Sequence, residues 1–164
     1  MACPLRIEFP GAIYHVTSRC NRREPIFLDD LDRDVLLSVV ATGLSRFDAQ
    51  GLTYCLIGNH DHFVLQARLA NLSVLIRYRN GVYTQAFNHR HAKVGHLFQG
   101  RFKAILVDRD ACLLEVCRYV ELNPVRAHMV DVPAQWPWSS YCAHAGQAPT
   151  PAWLDTAGLH GHLL

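Results

Sequence analysis

The sequence predicts an α+β domain built on one antiparallel sheet, with its helices on one face. Segments of strand character and segments with helical spacing of apolar residues follow one another in the order β-α-β-β-α-β-α. A two-residue turn joins the second and third strands, so these two strands run antiparallel. The chain has 164 residues, half of them hydrophobic, which is enough for one buried core. The order is that of the split βαβ sheet of ferredoxin-like (RRM-like) domains.

Turn and cap residues mark the first strand and the first helix. β-branched and aromatic residues after the turn pair Pro10-Gly11 predict a strand over residues 12–18. Apolar residues at helical spacing follow the cap pair Asp29-Asp30 and predict a helix to about Ala49. We expect Gly51 to end this helix.

A strand pair and a second helix form the middle of the chain. Residues 52–57 and 60–66 predict two strands that pair around the tight turn Gly58-Asn59. Residues 71–87 then show an apolar stripe at helical spacing.

A basic loop, a fourth strand and a third helix follow. The loop covers residues 88–100 and carries several histidines, and the strand covers residues 102–107. The third helix begins at residues 108–110, and we expect Pro124 to stop it after Asn123, because proline cannot continue a helix.

The chain divides into a main domain, residues 1–130, and a tail, residues 131–164. The tail holds four of the eight prolines, and Trp136 and Trp138 are expected to anchor it to the core. We expect it to pack in extended form with at most one short helix.

The composition of the chain gives only weak evidence about its binding partners. A formal charge of +2 does not by itself require nucleic acid, although most of the cations are arginines, which suit phosphate contacts. The six cysteines lack C-x-x-C spacing, which predicts reduced thiols. No signal core or membrane-length apolar run is present, so we expect a cytoplasmic protein without a membrane partner.

His60 and His62 are the first candidate site. Because side chains on a strand alternate between faces, both imidazoles should point to the same face of the sheet. Neutral imidazole is a common metal ligand, and a strand holds two of them at a fixed separation. The alternative is a pair of histidines without a ligand.

Tyr119 and Asn123 are the second candidate site. Tyr119 lies at the margin of the buried stripe of the third helix, and Asn123 comes one turn later on the same side. The two residues could direct a hydroxyl and a metal-binding carbonyl to one point. The alternative is that Tyr119 simply edges the core.

Six ordered blocks give the chain a family resemblance. They are EFPGAIYHVTSRCNRREPIFLDD, YCLIGNHDHFVL, YTQAFNHRH, GHLFQGRFKAILVD, RYVELNPVRAHMV and WPWSSY. With these blocks, residues 7–138 resemble the single-tyrosine HUH transposases, most closely the REP-associated tyrosine transposases of bacteria.

The resemblance implies an activity and a set of site residues. His60 and His62 match the metal-binding histidines, Tyr119 matches the nucleophile, and Asn123 occupies the place of an amide ligand. The implied reaction is metal-dependent cleavage and transfer of single-stranded DNA at hairpin-bearing repeats through a 5′-phosphotyrosine. The ligand types favour Mg²⁺ or Mn²⁺. No nucleotide cofactor is expected, since the phosphotyrosine conserves the bond energy. The sequence does not decide the oligomeric state, which is either a monomer or a homodimer.

Asp61 departs from the family pattern, because the residue between the two histidines is normally bulky and apolar. Strand alternation directs it to the face where the helices pack, so we expect it to pair with an arginine or reach solvent. Its alternative role as a metal ligand would require a bulge. The substitution also raises a binding-only alternative, a relative that recognises structured single-stranded DNA without cutting it. A third possibility is a metal-dependent phosphodiesterase that uses water, with Tyr119 incidental.

Basic loops supply the candidate DNA contacts. The alternative for each charged residue is that it is solvated at the surface and does not contact DNA. Phe98 and Gln99 are expected to stack on a base or to read a base edge. His15 either lines the active face or packs in the sheet, and Tyr83 is a second candidate nucleophile. The candidate contacts are Arg19, Asn21, Arg22, Arg23, Arg90, Lys93, Phe98, Gln99, Arg101 and Arg126.

Overall fold

A computed structural model describes residues 7–20, 24–98 and 102–156. Four strands form one antiparallel sheet in the order β2-β3-β1-β4. Two long helices, α1 and α2, occupy the positions between strands that the sequence predicts. The predicted ferredoxin-like α+β fold is therefore confirmed. The bounds are β1 Ala12–Arg19, α1 Asp30–Arg46, β2 Ala49–Leu56, β3 His60–Ala67, α2 Leu72–His91 and β4 Lys103–Val107.

The two faces of the sheet bury different sets of side chains. Beneath α1 and α2, β1 contributes Tyr14 and Val16, and β3 contributes Phe63 and Leu65 to the main core. Since neighbouring residues on a strand point to opposite faces, the alternate residues of β1 and β3 face the other way. His60 and His62 belong to that second set.

Helices α1 and α2 share the predicted face, whereas the third helix lies on the second face. Helix α3, Leu113–Glu121, buries Leu113, Cys117 and Val120 against Ile13 and Val64 of the sheet. This smaller core covers one end of the face and leaves the histidine end beside it. A short helix α4, Asn123–Arg126, follows directly.

Helix α1 ends earlier than predicted. Asp48 adopts a left-handed conformation with φ of 52°, and β2 begins at Ala49, so the expectation that Gly51 ends the helix is wrong. Gly51 lies within β2, where a Cβ atom would come 2.7 Å from the ring of Trp153. A glycine is required at position 51 because Trp153 of the tail approaches so closely. The sequence around Gly51 does not show this contact.

Other boundaries differ from the prediction as well: β2 begins at Ala49 and not at residue 52, and α3 begins at Leu113 and not at residues 108–110. Helix α2 continues to His91 before Ala92 ends it in the left-handed region, so the predicted loop starts four residues later. Pro124 does not stop α3, which ends at Glu121; it lies in the first turn of α4. Proline is tolerated there because the first amide groups of a helix have no partner within it.

The tail packs along the free edge of β2. The amide of Leu56 donates to the carbonyl of Trp138, and the amide of Ser140 donates to the carbonyl of Tyr54. The tail contains a 3-10 turn, Pro133–Gln135, and a short helix α5, Tyr141–His144, which is one helical turn more than expected. It thus covers backbone groups that an edge strand would otherwise expose.

In the described part of the chain, no helix has the length and apolar character that crossing a bilayer requires.

Candidate active site

Strand β3 holds the two histidines on one face, as alternation predicts. Their ring centroids lie 4.9 Å apart and the ring planes are nearly perpendicular, at 80°. On the neighbouring strand β1, Arg19 lies opposite His60 and Thr17 lies opposite His62. His60 is partly accessible, whereas His62 is buried.

Hydrogen bonds engage one nitrogen of each ring. Nδ1 of His60 lies 2.6 Å from the side-chain oxygen of Asn59 and donates to it, because a carbonyl oxygen can only accept. Nδ1 of His62 lies 3.0 Å from Nε2 of His15 and 3.4 Å from the hydroxyl of Thr17. Nε2 of His62 is buried and has no hydrogen-bond partner among the described residues. In His60, Nε2 is therefore the nitrogen left to carry a lone pair.

Burial keeps both imidazoles neutral. It lowers the pKa of His60 to about 4, with a further contribution from the positive charge of Arg19. It lowers the pKa of His62 to about 3, and His60 and His15 add to this effect. The pKa of His15 is lowered as well, by burial and by Lys103. Neutral imidazole is the form that binds metal ions.

These observations fit a metal ligand pair. An orphaned Nε2 atom in a buried ring is an unsatisfied polar group, which a metal ion would satisfy. Within residues 7–20, 24–98 and 102–156, no three side chains of the His, Cys, Asp or Glu type converge to hold a metal. A third protein ligand would then be of another type, and Asn123, the first residue of α4, stays a prediction for that role.

Helix α3 brings Tyr119 to the histidines. The ring centroid of Tyr119 lies 6.4 Å from that of His62 and 6.1 Å from that of His15, and both contacts are edge-on. Tyr119 is half exposed, in contrast to the buried stripe of the same helix. A substrate in solvent could therefore reach its hydroxyl beside the histidine pair.

Tyr83 is excluded as an alternative nucleophile. Its side chain is fully buried beneath the helices, and its hydroxyl donates to the backbone carbonyl of Ile26. Burial also raises the pKa of Tyr83, which disfavours its phenolate.

Arg126 lies against the candidate nucleophile. Its guanidinium carbon is 3.9 Å from the ring centroid of Tyr119, and the same group donates to the backbone carbonyl of Tyr119. The stack is a cation–π contact, and the hydrogen bond ties α4 back to α3. Its predicted phosphate contact would be made from this position.

Asp61 points to the helix face, where it pairs with an arginine, one of the two outcomes that the sequence predicts. Its carboxylate is fully buried and lies 2.9 Å from the guanidinium of Arg79 on α2, which is itself 3% exposed. Arg79 also donates to the hydroxyl of Ser18 at 2.6 Å. The alternative that Asp61 joins a metal is wrong, because the strand alternates without a bulge at this point.

Sequence reasoning missed three of these supporting residues, although each left a signal. Arg79 interrupts the apolar stripe of α2, three residues after Ile76 and four before Tyr83. Asn59 directly precedes His60, and Thr17 follows His15 at strand spacing. An arginine inside a buried stripe and an aspartate inside a buried strand are together the signature of a paired charge.

The residues predicted to contact DNA differ in exposure and in the contacts that they make. Arg19 is exposed at the end of β1, and Lys93 is exposed beyond α2. Arg90 forms ion pairs with Asp29 and Asp32, which tie α2 to the start of α1. Phe98 is half-buried, with its ring 6.2 Å from that of Tyr83. Five of the candidates lie outside the described residues: Asn21, Arg22, Arg23, Gln99 and Arg101.

Solved structures share the fold of this chain. The structure of a REP-associated tyrosine transposase bound to a REP hairpin matches with a TM-score of 0.75 and 16% sequence identity. The match covers 94% of this chain and 92% of that one. A Deinococcus radiodurans R1 protein with an inferred transposase assignment matches with a TM-score of 0.51 and 12% identity, over 73% of this chain and 96% of that one.

Sequence comparison gives the family. No curated protein matches the chain in sequence. The family model described as IS200-like transposase matches residues 9–123, a span that contains β1 to β4, both histidines and Tyr119. The chain therefore belongs to the family of IS200-like transposases.

Proposed function

We propose that this transposase is a metal-dependent endonuclease and strand transferase for single-stranded DNA, with Tyr119 as its nucleophile. The observation that carries the proposal is the position of the half-exposed Tyr119 ring, 6.4 Å from the ring of buried His62. A phenol and two neutral imidazoles thus share one open end of the sheet. This combination suits phosphodiester transesterification.

His60 and His62 would hold the metal through their Nε2 atoms, with Asn123 as a further ligand. The orphaned Nε2 of His62 supports this assignment. Mg²⁺ or Mn²⁺ fits a set of imidazole and amide ligands with places left for water and phosphate oxygens. When bound, such an ion polarises the scissile phosphate and stabilises the leaving oxygen.

The protein side chains carry out the remaining steps. The oxygen of Tyr119 forms a bond to phosphorus, and the bond between phosphorus and the 3′-oxygen breaks. The phenol proton passes to solvent, and the leaving 3′-oxygen takes a proton from solvent and is released as a hydroxyl. Arg126 and Arg19 supply positive charge at the two edges of the site, where the phosphate charge increases. The second DNA end reverses the reaction, so no nucleotide is consumed.

A folded single strand is the proposed substrate. The REP-associated relative is bound to a REP hairpin, and its fold matches this chain over nearly the full length of both. Arginines predominate among the cations of this chain, and an arginine fork suits the phosphate backbone of such a hairpin.

A cleavage assay tests the proposal. Labelled hairpin oligonucleotides with single-stranded flanks are incubated with the protein and Mg²⁺ or Mn²⁺, and covalent adducts are separated on denaturing gels. We expect an adduct that disappears in Tyr119→Phe, while the folding and hairpin binding of this variant persist, because the tyrosine is half exposed. Tyr141→Phe, a change in the tail, serves as the matched control.

The same assay decides between the alternatives. If the unaltered chain binds the hairpin but forms no adduct, the result supports the alternative of a protein that binds structured single-stranded DNA without cutting it. Cleavage that survives in Tyr119→Phe would mean that water is the nucleophile and would overturn the tyrosine mechanism.

A further inference from the structure

We propose that His15 is a positioning residue that fixes the ring of His62 as the Nδ1–H tautomer and so keeps the metal-binding nitrogen available. The inference deepens the proposed function and rests on it, because it concerns the nitrogen that would bind the ion. No contact of His15 with a substrate or a metal is required.

Strand geometry brings His15 to His62. His15 lies on β1 and is paired in register with Val64, two residues along β3 from His62. The two rings stack with centroids 5.2 Å apart and planes at 26°, and Nε2 of His15 is 3.0 Å from Nδ1 of His62. Both strands are central in the sheet, so the contact is held by hydrogen bonds on both sides.

One of the two rings must donate in this contact, and the direction decides the chemistry of His62. If Nδ1 of His62 donates, its Nε2 carries a lone pair and can bind an ion. If Nε2 of His15 donates, the proton of His62 lies on Nε2, and that atom cannot be a ligand. Since Nε2 of His62 is buried without a partner in the described structure, a proton there would be an unsatisfied donor.

A second neighbour of Nδ1 is compatible with the same direction. The hydroxyl of Thr17 lies 3.4 Å from the same Nδ1, and it can accept from a donor at that position. A metal-ligating histidine generally donates its other ring N–H to such a partner, which fixes both tautomer and ring orientation. In this chain the partner is another imidazole.

His15 acts through His62 and does not serve as a third ligand. Its Nε2 faces His62, and no group of three His, Cys, Asp or Glu side chains in the described structure converges on a metal position. The His15 ring also contacts Tyr119 edge-on, with centroids 6.1 Å apart. The residue therefore contacts both the histidine ligand and the nucleophile.

Two substitutions at one position test the inference. Gln at position 15 can place an amide oxygen near the position of Nε2 and so preserve a hydrogen-bond acceptor. Phe at position 15 keeps an aromatic ring but has no acceptor. Because Thr17 remains as a weaker acceptor, His15→Phe is also combined with Thr17→Val. The exposed His89, changed to Gln, is the control, and thermal unfolding establishes that each variant is folded.

The first readout is nitrogen NMR of isotope-labelled imidazole rings without metal. We expect His62 to be protonated at Nδ1 in the unaltered chain and in His15→Gln, and to be a mixture of tautomers in His15→Phe/Thr17→Val. The second readout is Mn²⁺ affinity without DNA, which should fall about 10- to 100-fold in the Phe variants and much less in His15→Gln.

The outcomes separate this inference from the proposed function. An unchanged His62 tautomer in His15→Phe/Thr17→Val, or a loss of affinity in His15→Gln equal to that in His15→Phe, would overturn the positioning role. Failure of the proposed function shows instead as absence of a covalent adduct from the unaltered chain, whatever the tautomer of His62.

Discussion

Each reactive side chain of the candidate site is held by at least one neighbouring side chain through a contact of defined chemistry. Asn59 fixes His60, His15 faces His62, and Arg126 stacks on Tyr119. These supporting residues decide which atom of each reactive group faces the substrate. Substituting them should therefore alter rates more than DNA affinity.

Arg126→Met is expected to slow adduct formation about 10- to 100-fold at saturating hairpin, because the Tyr119 ring loses the cation that holds its orientation. Arg126→Lys should recover only part of the rate, since an ammonium keeps the charge but cannot stack as a plane. Arg118→Met removes an exposed arginine from α3 and is the control. A fall in hairpin affinity at unchanged rate would instead identify Arg126 as a phosphate contact.

The Asp61–Arg79 pair is expected to matter for stability and not for chemistry. Asp61→Leu leaves a buried guanidinium without its partner and should lower the free energy of unfolding by about 3–5 kcal/mol in urea titrations. Asp61→Leu combined with Arg79→Met should recover most of that loss. If Asp61 instead marks a decayed enzyme, the folded double variant would cleave hairpins faster than the unaltered chain.

At the scale of elements, periodicity predicts whatever depends on local sequence. The strand period places His60 and His62 together, and helical spacing assigns the buried stripe of α3, which carries Tyr119 to the same face. Gly51 misleads because its role depends on Trp153, a hundred residues away in the tail. Arg79 is missed for the same reason: its partner belongs to another element. The local sequence can indicate that such a residue needs a partner, as it does for Arg79, but it does not show which element supplies that partner.

The packing of α3 on the sheet predicts a pH dependence. Burial raises the pKa of both Cys55 and Cys117 to about 12. A thiol with a raised pKa contributes stability that is complete below its unfolded pKa, near 9, and is lost as the pH rises toward the folded value. At about pH 10, each thiol should lower the unfolding free energy by about 1.4 kcal/mol.

Urea unfolding between neutral pH and about pH 10, under reducing conditions, measures this loss. Cys55→Ala and Cys117→Ala should each flatten the profile, whereas Cys112→Ala, at an exposed thiol, should leave it unchanged. A profile in the unaltered chain that stays flat over this range would contradict the burial of α3.

At the scale of the whole molecule, the tail acts as a clamp that holds α3, the helix of the candidate nucleophile, against its own sheet. Glu121, two residues after Tyr119, accepts hydrogen bonds from Thr53 of β2 at 3.1 Å and from Ser140 of the tail at 2.5 Å. Nδ1 of His144 lies 2.7 Å from the same carboxylate oxygen. All these groups are buried or nearly so. The clamp holds α3 against the strands of the same chain.

This clamp predicts that one chain supplies the complete site. A mixture of Tyr119→Phe with His60→Ala/His62→Ala should then form no adduct, because neither chain carries both histidines and the tyrosine. If two subunits exchanged α3, the mixture would combine the intact histidines of one chain with the tyrosine of the other and restore cleavage. The assay uses equal amounts of the two variants at several total concentrations, with the unaltered chain as reference. Adduct formation that rises with concentration in the mixture would show that the site is shared between subunits, and the clamp would have to open for α3 to exchange.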